Sequence, residues 1–166
     1  MPVILEMSVS EQLAEAESED GEVPDTRQIQ RWANAASEGE QESIVSVQIV
    51  SAGEMQSLNS TWRGKDNATN VLSFPVRASD LHLPAEAGVN LLGDLALCAE
   101  VINTEARQQH KPPQAHWAHM IVHGMLHLQG YDHIEPAEAE LMESRESAIL
   151  RQLGFADPYH DTQEPV

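Results

Sequence analysis

Between residues 123 and 133 the chain reads His-Gly-Met-Leu-His-Leu-Gln-Gly-Tyr-Asp-His, which spaces three imidazoles, His123, His127 and His133, with Gly130 between the second and third. In an α-helix positions i and i+4 share a face about one turn apart, so His123 and His127 can aim at one point. Gly130 tolerates the left-handed backbone that ends a helix, and a sharp turn there carries His133 back toward the pair. Three neutral imidazoles with the remaining positions open make a catalytic arrangement for one divalent metal ion, since structural zinc is usually closed by four ligands rich in thiolate. Imidazole ligands suit zinc, nickel, copper or iron, and a purified protein can carry whichever is available.

The spacing equals that of the metzincin peptidases, which carry a glutamate as general base directly after the first histidine. Here that position is Gly124, which argues against peptide hydrolysis. A divalent metal still acidifies water, but another group must then handle the proton or the developing charge. Arg63, Lys65 and Asp66 are the candidates. A guanidinium matches two oxygens of a phosphate, so an arginine beside a Lewis-acid metal suits a pentacovalent phosphoryl transition state better than a peptide one. His119 lies one turn before His123 and leaves a different triad open from spacing alone. His116 or His119 can instead support a ligand or face the substrate, and Asp132 can orient the neighbouring imidazole or cap the turn.

These residues need a scaffold. Trp117, Ala118, Met120, Ile121, Val122, Met125, Leu126 and Leu128 surround most of the helix that Pro112 and Pro113 start, while His116, His119, His123 and His127 fall in one stripe. A helix apolar nearly all round is central and buried, and its polar stripe is expected to face a cleft. Arg63 closes a second helix over 53–63, whose Met55, Leu58 and Trp62 form an apolar seam against a sheet. Strands are expected at 3–5, 43–50, 71–76 and 91–97, the last interrupted by Gly93, with a loop or short hairpin connection over 77–90. Further helices are expected after Pro24 and Asp25 up to a stop at Gly39, over 98–109, and over 136–153 with Leu141, Ile149 and Leu153 on one side. Strands alternating with helices, followed by a run of helices, give an α/β (α+β) fold: a small mixed sheet of about four strands with helices packed over it and the histidine helix in the middle.

With 166 residues, 41% of them hydrophobic, the chain suits a single domain over 1–166, with 8–24 and 156–166 as loosely held stretches. No apolar run approaches the roughly 18 residues that span a bilayer and no export signal pattern appears, so a soluble, cytoplasmic protein without membrane partners is expected. The single cysteine, Cys98, excludes an intramolecular disulfide and a thiolate metal site. A formal charge of −18 argues against a surface that attracts nucleic acid in general. The charge is uneven: residues 63–111 hold five basic and six acidic side chains, a net −1, so −17 lies elsewhere, including eight acids and no base from Glu6 to Asp25. Such runs are solvated faces that keep a protein soluble.

The histidine stretch, together with Leu58-Asn-Ser-Thr-Trp-Arg-Gly-Lys-Asp-Asn-Ala-Thr-Asn-Val-Leu-Ser-Phe-Pro75 and Gly93-Asp94, resembles the YbeY family of bacterial rRNA maturation factors over residues 44–153. The resemblance implies a metal-dependent, single-strand-specific endoribonuclease acting in rRNA processing, notably at the 3′ end of the small-subunit rRNA, and in ribosome quality control. Its partners would be single-stranded RNA, rRNA, and the ribosome or ribosome-associated proteins. By the same resemblance His123, His127 and His133 are the zinc ligands, Arg63 is the arginine associated with activity, and the fold is a mixed sheet with helices, distantly like the zinc peptidases. Trp62 stands where the family commonly has tyrosine and Ala68 where it commonly has proline, and neither change removes a ligand or Arg63. Two other classes stand beside this one: a non-enzymatic, metal-stabilised ribosome-assembly factor, and a metallopeptidase-like hydrolase.

Overall fold

The β-branched run at 43–50 forms strand β2 (Ser43–Val50), whose Val45, Val47 and Ile49 alternate onto one face and are buried there. A computed structural model, which describes residues 3–11, 23–38, 42–75, 90–132 and 134–158, places β2 in a four-stranded sheet of order β1-β2-β4-β3. β1 (Val3–Val9) and β4 (Asn90–Cys98) run parallel to β2, and β3 (Val71–Pro75) pairs antiparallel with β4 at the edge. The mixed sheet agrees with the expected fold class. β1 runs on through Val9 and so enters the stretch expected to be irregular, because Glu6 and Ser8 point outward while Leu5 and Met7 pack on the core. Residues 12–22, Gly39, 76–89 and 159–166, on which other expectations fell, lie outside the described residues.

Gly93 does not interrupt β4. The pairing with β2 skips Leu92, a bulge, and Gly93 continues the strand with φ 137°, a value that disfavours any side chain. A Cβ there would sit 2.2 Å from the Phe74 carbonyl oxygen, so glycine lets β3 approach.

The described helices are α1 (Thr26–Ala36), α2 (Ala52–Arg63), α3 (Ala99–Gln108), α4 (Pro113–Leu128) and α5 (Pro136–Gln152). Capping boxes start two of them, Asp25 with Gln28 on α1 and Ser51 with Glu54 on α2. α4 is the central helix, packed against α1, α3, α5 and strands β3 and β4. Its Ile121, Val122, Met125 and Leu126 are completely buried, each such side chain contributing about 1.5–3 kcal/mol.

Two expected apolar seams differ. On α2, Met55 is buried and Leu58 partly so, but Trp62 is 67% exposed and meets Phe74 in a T-shaped ring contact at 6.1 Å. On α5 the buried residues are Met142, Glu146, Ile149 and Leu150, and Leu141 is 58% exposed. The helix turns its 142/146/149/150 stripe inward because Glu146 has partners in the core.

Candidate active site

α4 sets its four histidines in one row, with ring centroids 6.2 Å apart for His116 and His119, 6.4 Å for His119 and His123, and 4.6 Å for His123 and His127. Only the C-terminal half of the row opens on a cleft, lined by His123 and His127. His116 is buried and its Nε2 lies 3.0 Å from Glu105 Oε1, an oxygen that also accepts from Asn70 Nδ2 at 3.1 Å. Burial pushes the Glu105 carboxyl up, but hydrogen bonds from His116 and Asn70 outweigh it and leave the group below its ordinary value.

The Nε2 atoms of His123 and His127 face each other at 3.1 Å. Two nitrogens on one tetrahedral zinc, with bonds of about 2.0–2.1 Å, stand about 3.3 Å apart, so this pair fits a chelate. Among the described residues no group of three His, Cys, Asp or Glu side chains is arranged to hold a metal, and His133, the expected third ligand, lies outside them. The reversal that would lead to His133 does form. Gly130 has φ 103°, its N–H donates to His127 O at 3.1 Å, and Tyr131 N–H donates to Leu126 O at 3.0 Å, the two bonds of a Schellman cap. Gln129 and Tyr131 tie this turn to the end of α1: Gln129 Nε2 donates to Ala36 O at 2.8 Å, Gln129 Oε1 accepts from Glu38 N–H at 2.6 Å, and Tyr131 O–H donates to Glu38 Oε2 at 3.1 Å.

Behind the row lies Glu146 of α5, fully buried. Its Oε1 is 2.5 Å from His123 Nδ1 and its Oε2 is 2.9 Å from His119 Nε2. Burial pushes its carboxyl up, yet the hydrogen bonds from His119 and His123 hold it at about 2, so an ionised acceptor sits in the core. Burial in turn lowers the pKa of His119, against the pull of Glu146. His119 does not line the cleft, and its Nε2 is engaged with this carboxylate. The sequence reading missed Glu146, although its spacing of four from Met142 and three from Ile149 places it on a buried stripe.

Arg63 lines the same cleft. The cleft, of about 470 Å³, is lined by Arg63, residues 69–73, His123, His127, Asp132 and Ile134. Arg63 ends α2 and is exposed, and Gly64 stops the helix in the left-handed conformation with φ 68°. The loop that follows is clamped by buried Asn59, whose Nδ2 donates to Asn67 O at 2.9 Å and Asn67 Oδ1 at 3.0 Å. Asp66 Oδ1 accepts from Gln56 Nε2 at 3.0 Å and so holds this loop; neither Asp66 nor Lys65 lines the cleft. Asp132 does line it. A neighbouring cavity of about 580 Å³ beneath Trp62 and Phe74 shares Ser73 with the cleft but contains none of the histidines. The arrangement thus puts two imidazole nitrogens at chelating distance and Arg63 in the lining of one opening, which suits a phosphoryl centre.

The model of the endoribonuclease YbeY family matches residues 13–154. The endoribonuclease YbeY of Methylococcus capsulatus is 55% identical over 139 residues, 84% of this chain and 89% of that protein. A Thermotoga maritima protein solved in solution superposes with a TM-score of 0.52 at 23% identity, covering 90% of this chain and 89% of that one, a likeness of fold.

Proposed function

The chain belongs to the endoribonuclease YbeY family, and from that premise we propose that it cleaves single-stranded RNA in rRNA maturation and ribosome quality control. It is an RNA-cleaving hydrolase. In this reading His123, His127 and His133 hold one divalent metal, zinc before nickel, and Arg63 places its charge on the phosphate under attack. The observation that carries it is the convergence of the His123 and His127 Nε2 atoms on the cleft that Arg63 also lines.

A metal held there supplies Lewis acidity and lowers the pKa of water. Arg63, at an exposed helix end, offers a planar fork to two non-bridging phosphate oxygens and stabilises the charge that grows on them. Buried His116 and partly buried His119 are engaged with Glu105 and Glu146, and the cleft is left to His123 and His127. Gly124 stands where a peptidase carries its glutamate and packs against Leu95, so the site has no base for peptide hydrolysis at that position.

The acidic chain gains little RNA affinity from its general surface, so the ribosome or a ribosome-associated protein is the proposed means of bringing the strand to the cleft. No helix among the described residues is long and apolar enough to cross a membrane. The cytoplasm, where rRNA matures, is the proposed location.

The test is cleavage of a single-stranded RNA by the wild type and by Arg63→Ala, each purified without a histidine tag and analysed for metal. Loss of cleavage with fold and metal content kept supports the reading; unchanged cleavage removes Arg63 from the chemistry. End groups then separate two routes, since attack by the ribose 2′-hydroxyl leaves cyclic phosphate or 3′-phosphate and cannot leave a 3′-hydroxyl.

A further inference from the structure

A carboxylate buried among apolar side chains is costly unless it is fully paired. Glu146 lies on the buried stripe of α5 with Met142, Ile149 and Leu150, and its two oxygens reach two different histidines of α4. It meets these rings at opposite nitrogens. On His119 it engages Nε2, the atom that would otherwise be presented away from the backbone. On His123 it engages Nδ1, and this turns the His123 Nε2 toward His127 Nε2 at 3.1 Å. One carboxylate thereby sorts the row into a ring turned to the cleft and a ring turned to the core.

Given that His123 and His127 hold the metal, as proposed above, we propose that Glu146 is a positioning residue of the metal site: its carboxylate fixes the ring and tautomer of His123, and His119 fixes the carboxylate. An acceptor at Nδ1 keeps the proton on that nitrogen and leaves the Nε2 lone pair for the ion. The hydrogen bond also makes the ligand nitrogen more basic. His119 supplies the second donor that a lone carboxylate–histidine pair would lack, and it prevents the carboxylate from rotating away from His123. The stripe of histidines therefore contains one candidate ligand pair and one brace, an asymmetry that their equal spacing does not reveal.

The test compares the full-length wild type with Glu146→Gln, both purified without a histidine tag. The amide has the shape of the carboxylate but carries no charge and has one acceptor oxygen in place of two, so it cannot accept from both His119 and His123. Zinc affinity, measured by competition with a chromophoric chelator, is expected to weaken about 10–100-fold while far-ultraviolet circular dichroism is unchanged. Equal affinity in a folded Glu146→Gln overturns the proposal. Long-range ¹H–¹⁵N spectra of metal-free wild type give a readout independent of whether the variant folds: His123 is expected as the Nδ1–H tautomer, and the Nε2–H tautomer overturns the role. A wild type that takes up no zinc overturns the metal reading itself, whereas zinc uptake that ignores Glu146→Gln overturns this role alone.

Discussion

Gly124 on α4 faces Leu95 on β4 so closely that a Cβ on the glycine would meet Leu95 Cδ2 at 2.7 Å. The absence of a glutamate after the first histidine is therefore a packing fact as well as a chemical one: this helix face lies on the sheet. Restoring the peptidase pattern with Gly124→Glu is expected to produce no peptide turnover and to destabilise the fold by more than about 3 kcal/mol, since it adds overpacking to the burial of a carboxylate. Gly124→Ala is the milder control. Its gain of about 1 kcal/mol in helix propensity offsets part of an overpacking cost of about 1–3 kcal/mol. Urea unfolding of both variants with a peptidase assay checks the pair, and a stable Gly124→Glu would contradict the packing argument.

Arg63 sits at an exposed helix end, where substitutions usually change stability by less than about 0.5 kcal/mol. Removing a group that stabilises transition-state charge costs about 10²–10³ in rate. Arg63→Ala is accordingly expected to lose activity of that order with an unchanged melting temperature. Arg63→Lys should recover only part of it, because a point charge replaces a planar fork. Full recovery by lysine would show that charge alone is used.

The strands and helices were legible where one pattern dominated: Ser43–Val50 formed as read, and Pro113 and Gly130 bound the histidine helix because both act through the backbone alone. The convergence of His123 and His127 was legible for the same reason, being a property of helical spacing. What could not be read was set by contacts across the chain. Glu146 counts as polar in any hydropathy pattern, yet two histidines from another helix draw it inward and rotate α5 so that Leu141 faces solvent. Trp62 has core-like helical spacing, but β3 is an edge strand and, among the described residues, no further strand stands beyond it to cover the ring. Lys65 and Asp66, adjacent to Arg63 in sequence, are turned out of the cleft by the reversal at Gly64.

Glu105 gives the fold a pH dependence of definite sign. Its pKa is lowered in the folded chain from an ordinary value of 4.5, so the unfolded state binds more protons in that region. Its contribution is present above pH 4.5 and is lost as the pH falls below it through the folded value. Glu105→Gln should therefore be less stable than wild type at neutral pH, and the gap should close on acidification. Denaturant titrations of both proteins across that range check this; a gap that widens toward low pH would reverse the assignment.

Asn59 separates the holding of Arg63 from its chemistry. The side chain is buried, and its Nδ2 makes both contacts to Asn67 that fold the 64–70 loop back on α2. Asn59→Ala leaves the Asn67 carbonyl without this donor, a loss of about 1–3 kcal/mol, and frees the segment that follows Arg63. Metal content should not change, because His123 and His127 stand on α4. If the loop matters for cleavage because it sets the position of Arg63, the two substitutions must be non-additive. Asn59→Ala is then expected to lower cleavage about tenfold in the wild type and less than about twofold in the Arg63→Ala background, where there is no guanidinium left to misplace. Single-turnover rates of the four proteins, measured well below the melting temperature of the weakest, complete the cycle. An equal loss in both backgrounds would mean that Asn59 serves the site by a path that does not pass through Arg63.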